Sequence, residues 1–183
     1  MLEGGIRGVK LESGMLFYQG VRMGILDFKV FSVVFKELNK LIGPAVGTIV
    51  YRAVKKQTVE NTKAILAGFG FKNMGKQRLD DKSISSLLDK GIIDLLSQFG
   101  WGSMKVVELD LEKESLRLHV KNSLIADSYE EKQEHPVCYF TAGMIAGGIE
   151  IVFGHNMDCR EVKCKACGDE YCEFIVQEEF EVV

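Results

Sequence analysis

The sequence has little proline and nothing that resembles a linker. Only Pro44 and Pro136 occur among 183 residues, and no Gly/Ser-rich or low-complexity tract interrupts the chain. No internal repeat is apparent, which argues against a solenoid. Because domains commonly hold about 100–150 residues and single cores extend to about 250, we expect residues 1–183 to form one domain.

A strong charge of either sign is also missing. Lys and Arg number 23 against 26 Asp and Glu, for a formal net charge of −3. A nucleic-acid-binding surface needs clustered Lys and Arg, so this balance argues against nucleic acid as a partner.

No hydrophobic run is long enough for a membrane span. The most apolar stretch, VCYFTAGMIAGGIEIVFG at 137–154, carries Glu150. It falls short of the roughly 20 apolar residues that a span needs. The N-terminal segment MLEGGIRGVKLESG lacks the apolar core of a signal peptide, so we expect a cytoplasmic protein without a membrane span.

The helical patterns dominate the first hundred residues. Apolar residues recur at helical spacing, and Gly43-Pro44 interrupts the first run. A short strand or a lead-in to the first helix is expected at 15–19. The spacing predicts helices from Leu26 to Ile42, from about Ala45 to Leu66, and from Ser83 to Phe99, with Asp80, Asp81 or Ser83 as possible caps of the last.

Strand patterns follow. Period-two alternation predicts an antiparallel hairpin over about 105–111 and 116–121 with one polar face. Pro136 suits the first residue of a helix from about Val137 to Phe153, whose small residues allow another backbone to approach closely. The last segment predicts a closing hairpin that turns near 166–169. Helices followed by meandering strands indicate an α+β fold, with N-terminal helices packed on an antiparallel sheet.

The five cysteines point to metal or redox chemistry. Their number is odd, and four of them follow residue 158, so a disulfide framework does not suit a cytosolic chain of this size. In the closing hairpin, Cys164 and Cys172 are equidistant from Gly168. We therefore expect cross-strand neighbours whose sulfurs reach one ion, which supplies half of a tetrahedral zinc site.

Two completions of this half-site are open on the residues alone. The local one adds Cys159 and Cys167 and suits an iron–sulfur cluster, although the spacing matches neither common ferredoxin pattern. The non-local one adds Cys138, because a helix N-terminus favours the thiolate that metals bind. Glu161 is then the fourth ligand, provided that a bulge reverses its direction relative to Cys164. Further candidates are His135 and His155.

A family resemblance lies in these same residues. Glu161-x-x-Cys164 with Cys172 eight residues on, the surrounding CKACGDEYCEFIV, and Cys138 at a helix start are similar to the vinyl-4-reductase domain family. The resemblance follows the element order of nearly the whole chain and is specific in about the last fifty residues. It implies a TRAPP-subunit-like fold, a structural zinc held by Cys138, Glu161, Cys164 and Cys172, and a homodimer with an enclosed apolar pocket.

The resemblance implies binding of a small hydrophobic or aromatic molecule. The family's sensors hold phenols through a histidine and a tryptophan, and neither His119 nor Trp101 is assigned to those positions. No nucleophile elbow, phosphate loop or dinucleotide fingerprint occurs, so we expect a binding protein rather than an enzyme. The alternatives are a tetrapyrrole vinyl-reductase or its accessory protein, and an iron–sulfur or redox protein that uses the C-terminal cysteines.

Overall fold

The computed structural model describes residues 8–25, 27–68, 79–178 and 180. Over these residues the chain forms two antiparallel sheets, of three and four strands, and five α-helices. This arrangement confirms the α+β class. Within the same residues, no helix combines the length and the apolar composition needed to cross a membrane.

The smaller sheet lies at the N-terminus and was only partly expected. It is a meander of β1 (Val9–Glu12), β2 (Met15–Tyr18) and β3 (Val21–Met23). Its two hairpins turn at 13–14 and at 19–20, where all four residues have positive φ. Such two-residue turns favour glycine, and a glycine stands second in each.

Two helices follow as predicted, α1 (Lys29–Ile42) and α2 (Ala45–Gly68). Leu26, the first residue of the predicted helix, lies outside the described residues. An aromatic cluster fastens α1 to the rest of the molecule. In it Trp101 stacks on Phe140 with ring centroids 5.1 Å apart, and Phe31 meets Phe140 edge-on at 5.2 Å.

The helix predicted from Ser83 to Phe99 is divided by a wider turn. It consists of α3 (Asp81–Leu87), a π-helical turn (Leu88–Ile92) and α4 (Ile93–Gln98). Asp80 caps it by accepting a hydrogen bond from Ser83 N at 3.0 Å. The wider turn rotates the face that follows, so that Ile92 and Ile93 are both buried, like Ile84 and Leu88.

The larger sheet has the order β4-β5-β7-β6, with every neighbouring pair antiparallel. Its strands are β4 (Ser103–Asp110), β5 (Ser115–Lys121), β6 (Asp158–Lys163) and β7 (Cys172–Gln177). The closing hairpin is therefore β6 and β7, and the last strand lies inside the sheet. One face is apolar, with Leu118 and Phe174 fully buried.

The central helix α5 (Tyr139–Phe153) begins two residues later than predicted. Pro136 is not its first residue, because Cys138 has non-helical torsions and donates its N–H to Glu161 Oε2 at 2.9 Å. The expected close packing is confirmed: a Cβ at Gly143 would lie 2.7 Å from Tyr51 O, and one at Gly147 would lie 2.6 Å from Lys55 O. Helix α2 therefore crosses α5 in close backbone contact.

Candidate metal centre and cavity

Four potential metal ligands from distant parts of the chain meet at one end of α5. One ligand atom from each of Cys138, Glu161, Cys164 and Cys172 lies within 4.8 Å of the others. The three cysteines are buried and form no disulfide. The structure thus brings together the four residues named by the non-local alternative.

A β-bulge orients Glu161 towards the cysteines. The pairing of β6 with β7 shifts register between Glu161 and Lys163, at the position where the sequence required an irregularity. Glu161 Oε2 then reaches the backbone N–H of Cys138. This bond ties β6 to the start of α5.

The turn after β6 presents the other two thiols. Cys164 is not the cross-strand partner of Cys172, because β6 ends at Lys163, which pairs with Glu173. Cys164 instead precedes a 3₁₀ turn (Lys165–Cys167) and donates its N–H to Asp169 Oδ2 at 2.8 Å. The N–H of Lys165 lies 3.4 Å from Cys172 Sγ. Backbone donors of this kind stabilise a thiolate.

The four groups oppose one another electrostatically in the absence of a cation. Burial, together with the charge of Cys164, raises the pKa of Glu161 to about 8. Hydrogen bonds with Cys164 and Cys172, and then burial, raise the pKa of Cys138 well above its ordinary value. Hydrogen bonds from Cys138 and Cys172 lower the pKa of Cys164. A divalent cation would reverse this repulsion and favour the deprotonated forms of all four.

The geometry fits a tetrahedral zinc site. The Sγ atoms of Cys138 and Cys172 are 3.8 Å apart, and a tetrahedron with Zn–S bonds of about 2.3 Å separates its sulfurs by about 3.8 Å. Glu161 Oε1 is buried and has no hydrogen-bond partner within the described part of the chain. Thiolates with one carboxylate are donors that zinc accepts. The residues therefore suit this ion.

The remaining candidate ligands lie outside this set. Cys159 lines a smaller cavity of about 290 Å³ beside Tyr51 and Glu161. Cys167 lies on the 3₁₀ turn, where burial and the charge of Cys164 raise its pKa to about 11. His135 is exposed, and His155 pairs with Glu114.

A larger cavity of about 520 Å³ lies between α2, α4, α5 and the smaller sheet. Each of α2 and α4 contributes a face with helical spacing, and α5 supplies Met144 and Gly148. Sequence reasoning missed this cavity, although polar residues on the packed face of α2 were a usable signal. The α2 residues are Thr58, Asn61, Thr62, Ile65 and Leu66, and the α4 residues include Asp94, Leu95 and Gln98.

The side chains considered for ligand binding from sequence do not line this cavity. Trp101 is part of the aromatic cluster beside α1. His119 lies on the polar face of the larger sheet, with Nε2 2.9 Å from Glu173 Oε2. Tyr18 and Phe99 do line it, and neither was singled out by its sequence context.

The segment that carries the metal candidates matches a known domain. Residues 116–178 match the family model of the vinyl-4-reductase domain. The resemblance to this family is confirmed. The match includes Cys138, Glu161, Cys164 and Cys172, together with strands β5 to β7 and α5.

Two uncharacterised proteins of Methanocaldococcus jannaschii share parts of the chain. One is 36% identical over 86 residues, which is 46% of this chain, and the other is 46% identical over 41 residues, which is 22% of this chain. The matched parts span 45% and 24% of those relatives, less than half of either one.

Two solved structures share the fold. The phenol-responsive sensory domain of the transcription activator PoxR, solved with phenol, has a TM-score of 0.75 at 18% identity over 94% of this chain and 85% of that one. The trafficking protein particle complex subunit 3 of Naegleria fowleri, covalently bound to palmitic acid, has a TM-score of 0.58 at 16% identity, with 85% and 96% covered. The TRAPP-subunit-like fold is thereby confirmed.

Proposed function

We propose that this protein is a zinc-containing domain that binds a small hydrophobic or aromatic molecule in the cavity between α2, α4 and α5. The observation that carries the proposal is the cavity itself, about 520 Å³ in volume and walled largely by apolar side chains. Ligand sites in proteins commonly have about 300–1,000 Å³ and a few polar groups. A cavity of roughly 150 Å³ already holds a benzene ring, so this one has room for more.

The fold relatives support the same function. The PoxR domain was solved with phenol, and the Naegleria subunit carries palmitic acid. Both molecules are largely apolar. We therefore assign to this chain the binding of an apolar molecule, as a sensor or a carrier, with the ligand enclosed between helices and sheet.

A cavity-filling substitution tests the proposal. Thr62 lines the cavity on α2, whereas its neighbour Lys63 is directed to solvent. We expect Thr62→Phe to weaken binding of the neutral apolar dye Nile red by about ten-fold or more, because the added ring occupies the site. Lys63→Phe adds the same ring outside the cavity and should leave the affinity unchanged. Fluorescence titration measures both; equal affinities in the two variants, or no saturable binding by the unmodified protein, would refute the cavity as the site.

The zinc is proposed as structural, held by Cys138, Glu161, Cys164 and Cys172. Four protein ligands leave no open position for a water molecule, so the ion would add stability rather than Lewis-acid chemistry. It would fasten the start of α5 to the turn after β6. Because binding requires the folded arrangement, its free energy adds to folding stability.

Metal analysis of purified variants tests the ligand set. We expect one zinc per chain in the unmodified protein, loss of zinc in Cys138→Ser and Cys172→Ser, and retention in the control Cys167→Ser. A zinc concentration roughly 1,000 times its Kd would stabilise the fold by about 4 kcal/mol, so a chelator should lower the thermal midpoint. Retention of zinc in both ligand variants would contradict the assignment. Iron with visible absorbance would instead favour the iron–sulfur alternative.

We further propose that the domain forms a homodimer through α1. One face of α1 contacts the molecule through Phe31, and the opposite face exposes Val33, Val34 and Leu41. A helix with apolar residues on both faces is usually covered on both. A two-fold axis beside α1 would pair this face with its own copy.

A further inference from the structure

Tyr18 places a buried hydroxyl in the wall of the large cavity. The residue ends β2 and is 4% exposed, and it lines the cavity. Its ring is fixed by an edge-on contact with Phe99, with centroids 5.0 Å apart. Burial raises the pKa of Tyr18, so the hydroxyl is protonated at neutral pH and can donate a hydrogen bond.

This hydroxyl has no hydrogen-bond partner in the part of the chain that the structure describes. Buried hydroxyl groups are normally paired, because removal from water without a partner is costly. The ring cannot easily turn away, since Phe99 holds it in place. A ligand in the cavity would supply the partner.

The ionisable side chains around the cavity indicate the charge of that ligand. Among the described lining residues they are Tyr18 and Asp94. The Asp94 carboxylate accepts a hydrogen bond from Gln98 Nε2 at 2.8 Å. A carboxylate on the ligand would meet this negative charge, and a buried ion without a counter-ion is strongly disfavoured. An uncharged polar group suits the site.

We infer that Tyr18 is the ligand-anchoring residue, donating a hydrogen bond to an uncharged oxygen of an apolar molecule larger than one aromatic ring. The ligand class is thus a bicyclic or longer apolar body with one hydroxyl or carbonyl group. This inference rests on the proposed function of the cavity. It adds the residue that orients the ligand and the chemistry that the residue selects.

Three probes of one shape test the inference: naphthalene, 1-naphthol and 1-naphthoate at neutral pH. We expect 1-naphthol to bind more tightly than naphthalene, and 1-naphthoate to bind about ten-fold or more weakly than 1-naphthol. Tyr18→Phe keeps the ring and removes only the hydroxyl. It should weaken 1-naphthol by about five-fold and leave naphthalene unchanged. Isothermal titration calorimetry measures each Kd.

The control variant is Tyr171→Phe, which removes a surface hydroxyl that bonds to Lys163. It should change no affinity, and an unchanged Kd for naphthalene in Tyr18→Phe shows that this variant is folded. Equal binding of 1-naphthol by Tyr18→Phe and the unmodified protein overturns the role of Tyr18. Binding of 1-naphthoate as tight as that of 1-naphthol overturns the uncharged class. Failure of all three probes overturns the cavity's proposed function together with this inference.

Discussion

Glu173 is a buried carboxylate on the polar face of the larger sheet. Its side chain is 7% exposed, yet it accepts hydrogen bonds from Arg117 at 2.6 Å, His119 at 2.9 Å and Lys163 at 3.3 Å. Burial alone would raise its pKa, but these bonds lower it below the ordinary value. Because a buried charge requires partners, the three cross-strand bonds determine whether Glu173 stabilises the sheet.

We expect Glu173→Gln to lower the free energy of unfolding by about 1–2 kcal/mol, since charged hydrogen bonds are lost while the partners remain partly in water. Glu108 also contacts Arg117, at 3.2 Å, but its side chain is 67% exposed. Glu108→Gln is therefore the control, with an expected loss below about 0.5 kcal/mol. Urea unfolding measures both variants. Equal losses would show that burial of Glu173 adds nothing to the interaction.

At the residue scale, the cysteine pattern and the family spacing named the four candidate ligands, and the requirement for a bulge at Glu161 is met. Their supporting contacts were not predictable. Asp169 and the N–H of Lys165 act through a turn whose shape depends on Gly168, which has φ of 101°. Metal binding by the four residues stays a prediction.

Among the elements, the crossing of α2 with α5 depends on the absence of side chains. The backbone of α2 lies where a Cβ of Gly147 would be, 2.6 Å from Lys55 O. Beside it, a Cβ at Gly148 would meet only the side chain of Ile92, at 3.0 Å. Backbone cannot retreat as a side chain can, so the two glycines should respond differently to the same substitution.

We expect Gly147→Ala to be less stable than Gly148→Ala by about 1–2 kcal/mol, because overpacking at Gly147 separates two helices. Both variants gain the same helix propensity, about 1 kcal/mol, so their difference isolates the packing. Thermal unfolding with circular dichroism provides the comparison. A Gly147→Ala variant as stable as Gly148→Ala would mean that the two helices are free to move apart.

Element prediction succeeded where one pattern covered many residues. The amphipathic stripes placed α1 and α2, and alternation placed β4 and β5. It failed where a few backbone torsions decide the structure: the hairpins of β1 to β3, the π-helical turn after Leu87, and the delayed start of α5. Short strands and single turns carry too few residues for periodicity to register.

Considered as a whole, the molecule exposes an apolar surface that a monomer would not favour. Leu41 is 79% exposed on α1, and Val30 and Val34 on the same helix are each 48% exposed. Adjacent exposed apolar residues mark interaction surfaces more often than solvent-facing ones. The proposed homodimer would cover this face.

We expect the protein to have the mass of a dimer at tens of micromolar, and Leu41→Lys to shift it to the monomer, because a charge at the interface centre is costly to bury. Leu11, 73% exposed on β1, provides the control, and Leu11→Lys should remain dimeric. Light scattering during size-exclusion chromatography gives the mass of each. A monomeric unmodified protein, or a dimeric Leu41→Lys variant, would contradict the proposed interface.

The sequence by itself determined the fold class, the long helices, the closing hairpin and the residues able to bind zinc, because periodicity, glycine positions and clustered thiols are local properties of the chain. Tertiary structure alone decided which distant groups meet. The approach of Cys138 to Glu161 requires a bulge and a non-helical torsion, and the cavity arises from the relative placement of α2, α4 and α5. The volume between packed elements depends on all of them at once, so no single segment encodes it.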